Sequence, residues 1–109
     1  MEKEIKKILN DLKIPITIRG YRYWNYLILN VAKKYKNNDI LKVKITEEYK
    51  EMAERFKTTY TGIEKGLRYS IEDKTKIISE YFNYKENITN KEFLILVIEK
   101  LNERKQKKK

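Results

Sequence analysis

Apolar residues recur along this chain at the spacing of one helix face. An i, i+3, i+4, i+7 pattern with charges between the apolar positions predicts an amphipathic helix. It predicts helices at about residues 5–12, 21–35, 46–56, 60–72, 73–82 and 89–101. The segment 40–45 alternates apolar and charged residues in part, so a loop or a short strand is expected there. The pattern as a whole predicts an all-α fold of about six helices.

A proline marks the end of the first helix. Proline pushes the preceding residue out of the helical region, so Ile14-Pro15 is expected to end this helix. Residues 16–19 are then predicted to be extended, with Gly20 as the turn into the second helix. The first helix is expected to bury Ile5, Ile8, Leu9 and Leu12.

Candidate caps mark where the later helices begin. Thr46 is expected to cap the third helix, with Glu47-Glu48 in a first turn where the helix dipole favours acids. Asp73 is the candidate cap of the fifth helix, and residues 89–92 form a capping box that opens the sixth. The residues predicted to face the core from these helices are Trp24, Leu27, Ile28, Val31, Tyr35, Tyr49, Met52, Ala53, Phe56, Ile63, Leu67, Ser70, Ile71, Ile77, Ile78, Tyr81, Phe82, Phe93, Leu94, Val97, Ile98 and Leu101.

The composition argues against catalysis and metal binding. The sequence holds no Cys and no His, which removes thiol nucleophiles, disulfides, the usual general base and the usual zinc ligand. A catalytic Tyr, as in recombinases or relaxases, would need electrophilic Arg and His partners or a metal-binding His, and the lack of His argues against it. We therefore expect a protein that is not an enzyme and that uses no metal and no cofactor.

The charge of the chain points to a polyanionic partner. Lys and Arg number 26 against 16 Asp and Glu, a formal net charge of +10. Cations that neutralise phosphates release counterions, so nucleic acid is the favoured partner, with a well-solvated surface or a membrane-surface patch as alternatives. We divide the chain into a folded domain, 1–103, and a basic C-terminal tail, 104–109. No signal peptide or membrane-length apolar run is visible, so a cytoplasmic protein without a membrane partner is expected.

Residues 46–72 have the layout of a helix-turn-helix at the centre of the chain. Ala53 is a small residue in mid-helix, Phe56 closes that helix, and a three-residue turn follows before the next helix. Such spacing packs two helices so that the second can enter a major groove of DNA. An ordinary helical hairpin is the alternative interpretation.

Helical geometry identifies the residues that would face DNA. If Ile63 and Leu67 face inward, the opposite face of the helix carries Thr61, Lys65, Arg68 and Glu72, with Glu64 at its edge. Lys65 and Arg68 can donate to guanine, and Glu64 can accept from cytosine N4. A surface cluster of i, i+3 and i, i+4 charges is the alternative for these three residues.

Phosphate contacts are expected at the start of the same helix and elsewhere on the chain. Thr58 and Thr59 precede this helix, where hydroxyls and free backbone N–H groups can hold a phosphate. Residues 46–72 carry six acidic and five basic residues, so most of the affinity for phosphates must come from cations elsewhere on the chain. We assign phosphate contacts to Lys57, Arg19 and Arg22; further candidates are Lys33, Lys34, Lys42, Lys44 and the tail.

Three blocks in order resemble the C-terminal DNA-binding effector domain of the stage-zero sporulation protein A regulators. The blocks are residues 8–15 leading into 18–23, residues 52–59 leading through 63–65 to 67–68, and residues 89–93 with Val97 and Leu101. The resemblance implies a six-helix domain with a helix-turn-helix that binds a specific promoter box. It also implies that Glu64, Lys65 and Arg68 occupy base-reading positions. Two departures are Gly62, where the family usually has Arg, and Lys65, which replaces another Arg; the family's receiver domain has no counterpart in these residues.

The predicted function is therefore sequence-specific binding of double-stranded DNA in transcriptional regulation, with helix 60–72 in the major groove. One alternative is a DNA-binding accessory factor for plasmid or phage transfer, replication or partition. Another is a protein–protein adaptor. Partners that fit these functions are a second copy, as a homodimer or in tandem on DNA, and RNA polymerase or a plasmid-processing protein.

Overall fold

Six α-helices and one 3₁₀-helix make up the described chain. The structure is a computed structural model that describes residues 1–35 and 37–107, with side chains for all of these except 37–39 and 105–107. The elements are α1 (Glu2–Asp11), α2 (Arg19–Lys34), the 3₁₀-helix (Asn37–Lys42), α3 (Ile45–Arg55), α4 (Tyr60–Glu72), α5 (Thr75–Phe82) and α6 (Asn90–Lys107). No strand occurs within these ranges, so the all-α prediction is confirmed.

Trp24 lies at the centre of the core and joins three helices. Its side chain is fully buried, and its Nε1 donates to the Leu67 carbonyl at 3.0 Å and to Ser70 Oγ at 2.7 Å. Its ring meets Phe93 edge to face, with centroids 4.6 Å apart. These contacts connect α2 to α4 and α6. They agree with the prediction that Trp24 faces the core.

Most of the predicted core is buried, and the exceptions cluster on α5 and at helix ends. Every predicted core residue of α1, α4 and α6 is buried. Ile77 on the short α5 is exposed, so its prediction as a core residue was wrong, because Ile78 takes the buried position of that helix. The predicted residues that pack against the core while only partly buried are Tyr35, Ala53, Phe56, Tyr81 and Phe82.

The prediction of a turn at Gly20 was wrong. Gly20 is the second residue of α2, and a Cβ built on it would lie 2.3 Å from Ser70 Cβ and 2.6 Å from the Gly66 carbonyl oxygen. A Cβ on Gly66 would in turn lie 2.7 Å from the Tyr23 ring. The two glycines are therefore needed for the close approach of α2 to α4, which a pattern within one segment does not reveal.

The segment 40–45 is neither a strand nor an irregular loop. The 3₁₀-helix extends to Lys42, and Ile40 and Val43, three residues apart, are both buried. A spacing of three suits the three residues per turn of a 3₁₀-helix, whereas strand alternation has a period of two. The partial alternation in the sequence was therefore misleading.

Two of the three predicted helix N-caps were wrong. α3 begins at Ile45 after Lys44, whose carbonyl accepts from the Glu47 N–H at 3.0 Å, so Thr46 is inside the helix. Asp73 ends α4 instead of starting α5. The capping box of residues 89–92 is confirmed: the Thr89 N–H donates to Glu92 Oε1 at 2.9 Å, and the Glu92 N–H donates to Thr89 Oγ1 at 3.1 Å.

Glu48 is buried, although the sequence placed it in a solvated first turn. Asn30 Nδ2 donates to its carboxylate at 2.9 Å, and Lys34 Nζ lies 3.2 Å from it. Lys34 also pairs with Glu51 at 3.1 Å. Burial lowers the pKa of Lys34, but its hydrogen bonds and charge contacts with Glu51 and Glu48 outweigh burial and raise the pKa above its ordinary value. The cluster connects α2 to α3. Because Lys34 is already paired with two carboxylates, it is a poor candidate for the phosphate contact considered above.

The C-terminal helix continues beyond the predicted end of the domain at residue 103. α6 extends to Lys107, and Arg104 Nη2 donates to the Tyr81 hydroxyl at 3.2 Å. The side chains of residues 105–109, which carry most of the predicted basic tail, lie outside the described residues. No helix within the described ranges is long and apolar enough to cross a membrane.

Candidate nucleic-acid interface

A four-residue connection, residues 56–59, joins α3 to α4 and reverses the chain abruptly. Lys57 has a left-handed φ of 55°. The Thr58 N–H donates to the Ala53 carbonyl at 2.9 Å, and the Lys57 N–H donates to the Glu54 carbonyl at 3.3 Å. These two bonds form a Schellman ending of α3. The backbone carbonyls of the last turn are thereby satisfied, and α4 starts directly after the turn.

The N-terminus of α4 is capped by Thr59, whose Oγ1 accepts from the Gly62 N–H at 2.9 Å. A Cβ built on Gly62 would lie 2.6 Å from Thr58 Oγ1, so a larger residue would displace the Thr58 side chain. α4, which is described over its whole length, carries no acidic residue in its first turn. The positive end of its dipole is therefore not offset by a carboxylate of that turn.

A cationic concavity of about 420 Å³, which we call the basic groove, lies beside this turn. It is lined by Arg19, Arg22, Tyr23, Arg55, Phe56, Lys57 and Thr58. Among the described residues, no carboxylate forms an ion pair with Arg19, Arg22 or Lys57. The structure therefore brings the predicted phosphate-binding residues of α2 and of the turn into one groove.

Arg55 is a residue of the basic groove that the sequence analysis did not assign. Its guanidinium carbon lies 4.8 Å from the centroid of the Tyr26 ring, and Tyr26 packs edge to face on Phe56 at 5.4 Å. The available signal was a basic residue in the last turn of α3, next to the predicted turn. That signal alone could not show that Arg19 and Arg22 of α2 line the same groove as Arg55.

The predicted base-reading face of α4 reaches the surface. Its exposed members are Thr61, Lys65, Arg68 and Glu72, and Glu64 at its edge is half-buried. Tyr69 lies on the same face and is 56% exposed. Tyr69 was not among the residues predicted for this face, although its position four residues after Lys65 was a sufficient helical signal.

Lys65 lies on the side of α4 that faces α2, which we call the α2 side. A concavity of about 530 Å³ lies on the surface where the two helices meet, and its lining includes Lys65, Arg19 and Lys74. Asp73 also lines this concavity and pairs with Lys74 at 3.4 Å. Lys65 itself has no ion-pair partner among the described residues, so the α2 side keeps a cationic surface that continues into the basic groove through Arg19.

Arg68 lies at the other edge of this exposed face of α4, next to the start of α6, which we call the α6 side. Its Nη1 is 3.0 Å from Glu64 Oε2, and the two side chains are 48% and 32% exposed. Both line a concavity of about 450 Å³ that extends to Asn90 and Lys91 at the start of α6. The alternative considered for these residues, an i, i+4 charge pair, is therefore present for Glu64 and Arg68 and does not include Lys65.

Asn90 fixes the α6 side of α4 to the rest of the domain. Its Nδ2 donates to the Tyr49 hydroxyl at 3.1 Å and to the Glu64 backbone carbonyl at 3.3 Å. Burial raises the pKa of Tyr49 to about 12, although the hydrogen bond from Asn90 opposes this shift. Tyr49 therefore stays protonated at neutral pH, and the backbone of α4 is held against both α3 and α6.

The other candidate cations lie away from these surfaces. Lys33, Lys42 and Lys44 are exposed but line none of the three concavities. Within the described chain, no cluster of three or more acidic side chains is placed to hold a metal ion.

The family model described as the sporulation initiation factor Spo0A C terminal matches residues 5–101. The match extends from the first turn of α1 into α6 and covers most of the 109-residue chain. It includes the whole of α3, the turn, α4 and the basic groove.

Proposed function

The chain belongs to the family of the sporulation initiation factor Spo0A C-terminal domain, and from this we propose that it reads a specific sequence in double-stranded DNA. The family is one of DNA-binding effector domains of sporulation response regulators. We further propose that α3, the turn and α4 act as a helix-turn-helix, with α4 in the major groove and transcriptional regulation as the outcome. The division into a domain, 1–103, and a tail, 104–109, belongs to the same proposal.

The observation that carries this proposal is the basic groove beside the exposed N-terminal end of α4. When a recognition helix enters the major groove, the sugar–phosphate backbone passes near its N-terminus and the preceding turn. Unpaired cations at that place are suited to bind it. Arg19, Arg22 and Lys57 would contact phosphates, and Arg55 joins them in our proposal.

Base contacts are assigned to the outward face of α4. Arg68 and Lys65 would donate to guanine O6 and N7, and Glu64 would accept from cytosine N4. Thr61 is one turn before Lys65 and can reach a base edge or a phosphate. Lys65 has a single flexible ammonium in place of a planar fork, so we expect a weaker guanine preference at Lys65 than at Arg68.

Thr58 and Thr59 are proposed to hold a phosphate at the start of α4. The Thr59 oxygen already accepts from the Gly62 N–H, so its hydroxyl proton is available for donation outward. Backbone N–H groups at a helix N-terminus favour an anion. The absence of an acid from the first turn of α4, which is fully described, supports this assignment.

The proposal is tested by selecting bound fragments from a random duplex pool at about 150 mM salt, near physiological ionic strength. Enrichment of one motif is the expected result, and its position in the source genome would show whether it lies in promoters. Binding without enrichment that disappears as salt rises would contradict sequence-specific reading. No feature of the fold or of the family match favours an accessory factor or an adaptor; pairing of two copies and contact with RNA polymerase stay predictions.

A further inference from the structure

The two guanine-directed cations of α4 differ in how they are neutralised. Arg68 has a carboxylate of Glu64 at 3.0 Å, whereas Lys65 has no such partner among the described residues. Glu72, on the same exposed face, also lacks an ion-pair partner within the described chain. α4 therefore presents one pre-paired cation and one unpaired cation to the same ligand.

We propose that Glu64 withholds Arg68 from the phosphates of non-target DNA and releases it only to a matching base pair. This inference rests on the function proposed above. A phosphate can satisfy Arg68 but leaves the Glu64 carboxylate close to another negative charge. A G·C pair in the major groove offers guanine acceptors for Arg68 and a cytosine N4 donor for Glu64, so both partners are satisfied together.

The backbone that carries this pair is held by a tertiary contact. The backbone carbonyl of Glu64 accepts from Asn90 Nδ2 at 3.3 Å, and Asn90 belongs to α6. The guanidinium carbon of Arg68 lies 5.8 Å from the Tyr69 ring centroid. Both charged groups are thus presented from a helix whose orientation is fixed by two neighbouring helices.

The expected size of the effect follows from counterion release. Each phosphate neutralised on duplex DNA contributes a slope of about 0.9 in log affinity against log salt, which is roughly a fivefold change in affinity at 0.15 M salt. Surface ion pairs are individually weak. Withholding one cation therefore changes non-target binding by severalfold without a large change in stability.

The test compares Glu64→Gln with Glu80→Gln, which removes the same charge from an exposed position on α5. Glu80 lines none of the three concavities and has no ion-pair partner among the described residues. Salt titrations of binding to a random duplex are measured for both variants, with circular dichroism to verify the fold. We expect Glu64→Gln to bind the random duplex about fivefold more tightly at 0.15 M salt and to steepen the salt slope by about 0.9. Glu80→Gln should leave the slope unchanged. Affinity for the selected site should not rise with Glu64→Gln, so its ratio to random-duplex affinity falls.

A second pair of variants isolates Arg68 as the freed cation. In an Arg68→Ala background, Glu64→Gln should no longer steepen the slope. If Glu64→Gln behaves like Glu80→Gln, or raises affinity for target and random duplex alike, the inference is overturned. Motif enrichment by the wild-type chain would still leave the proposed function standing. The proposed function is tested separately, by selection with the wild-type chain. If that selection enriches no motif, the proposed function is overturned.

Discussion

On the α2 side of α4, Lys65 shares a concavity with Arg19 and Lys74, and the cationic surface continues into the basic groove. On the α6 side, Arg68 is paired with Glu64, and the helix backbone is held by Asn90. The two sides belong to one helix and differ in net charge. Unpaired cations attract any phosphate backbone, whereas a paired cation gains only where both members of the pair find partners.

Under the proposed function, affinity and discrimination would be carried by different sides of α4. The α2 side and the basic groove would provide salt-dependent binding to any duplex. The Glu64–Arg68 pair on the α6 side would provide selectivity with a small net contribution to non-target binding. The following predictions test this division, from the largest expected effect to the smallest.

Gly20→Ala should disrupt the α2 side as a whole. The new Cβ would lie 2.3 Å from Ser70 Cβ, so α2 must move away from α4, at a cost of about 1–3 kcal/mol in the free energy of unfolding. Urea denaturation measures this change. Gly62→Ala is the matched control, because its Cβ would meet threonine hydroxyls that can rotate. Equal stability changes in the two variants would show that the close approach of α2 and α4 is not required.

Arg68→Ala should weaken binding to the selected site by ~1–3 kcal/mol and relax the preference at one base pair. Binding to a random duplex should weaken less than binding to the target, because Glu64 already neutralises this guanidinium in the free protein and the variant loses no free cation. Fluorescence anisotropy with target and random duplexes measures both. Lys65→Ala, on the α2 side, should weaken binding to both duplexes. Equal losses on both duplexes for Arg68→Ala would contradict the division between the two sides.

Arg22→Ala should weaken binding to target and random duplexes equally, by roughly fivefold at 0.15 M salt, and reduce the salt slope by about 0.9. Arg22 is exposed and lines the basic groove, where it would neutralise one phosphate. Lys76→Ala on α5 removes one exposed cation outside the three concavities and is the control. A slope that falls equally in both variants would mean that the groove has no special role.

Acid should destabilise the start of α6, which packs beside the α6 side of α4, through protonation of Glu92. The charges of the cations on the α2 side should not change. The Thr89 N–H and the Tyr84 hydroxyl, with Lys85, lower the pKa of Glu92 from 4.5 to about 2. A carboxyl whose pKa is lower in the folded protein stabilises the fold above its unfolded pKa, and this contribution is lost as pH falls from about 4.5 towards 2. We expect a loss of about 1 kcal/mol, the scale of a helix cap, because solvent screens these exposed partners.

Denaturation of the wild-type chain and Glu92→Gln as a function of pH measures this loss. Glutamine preserves the capping box but does not titrate. The variant should therefore show a smaller fall in stability between pH 5 and pH 2. An identical fall in both proteins would assign the acid sensitivity to other carboxylates.

Much of the helical fold was predictable, because helix periodicity depends on neighbours within two turns. The bounds of α4 were predicted as observed, and Thr89 and Glu92 were recognised as a capping box. The errors at Gly20, Thr46 and the 3₁₀-helix arose where a residue's role depends on a distant element or on a rarer helix type. Gly20 was predicted as a turn because the local sequence does not reveal its close approach to Ser70, which lies fifty positions away in the chain.

The candidate site was predictable residue by residue, but its arrangement was not. The sequence identified the exposed face of α4 and named Arg19, Arg22 and Lys57 as phosphate contacts. It did not reveal that these residues meet Arg55 in one groove, that Glu48 is buried between α2 and α3, or that Lys65 and Arg68 lie on different sides of α4.

By itself, the sequence determined which residues of α1, α4 and α6 turn inward, how the last helix is capped, and which residue types are available to contact DNA. These properties follow from the 3.6-residue turn and from side-chain chemistry, both of which act locally. Only the tertiary structure decided which cations are paired and which are free. That outcome depends on how closely α2 and α6 approach α4, and helix approach is set by packing among residues far apart in the chain.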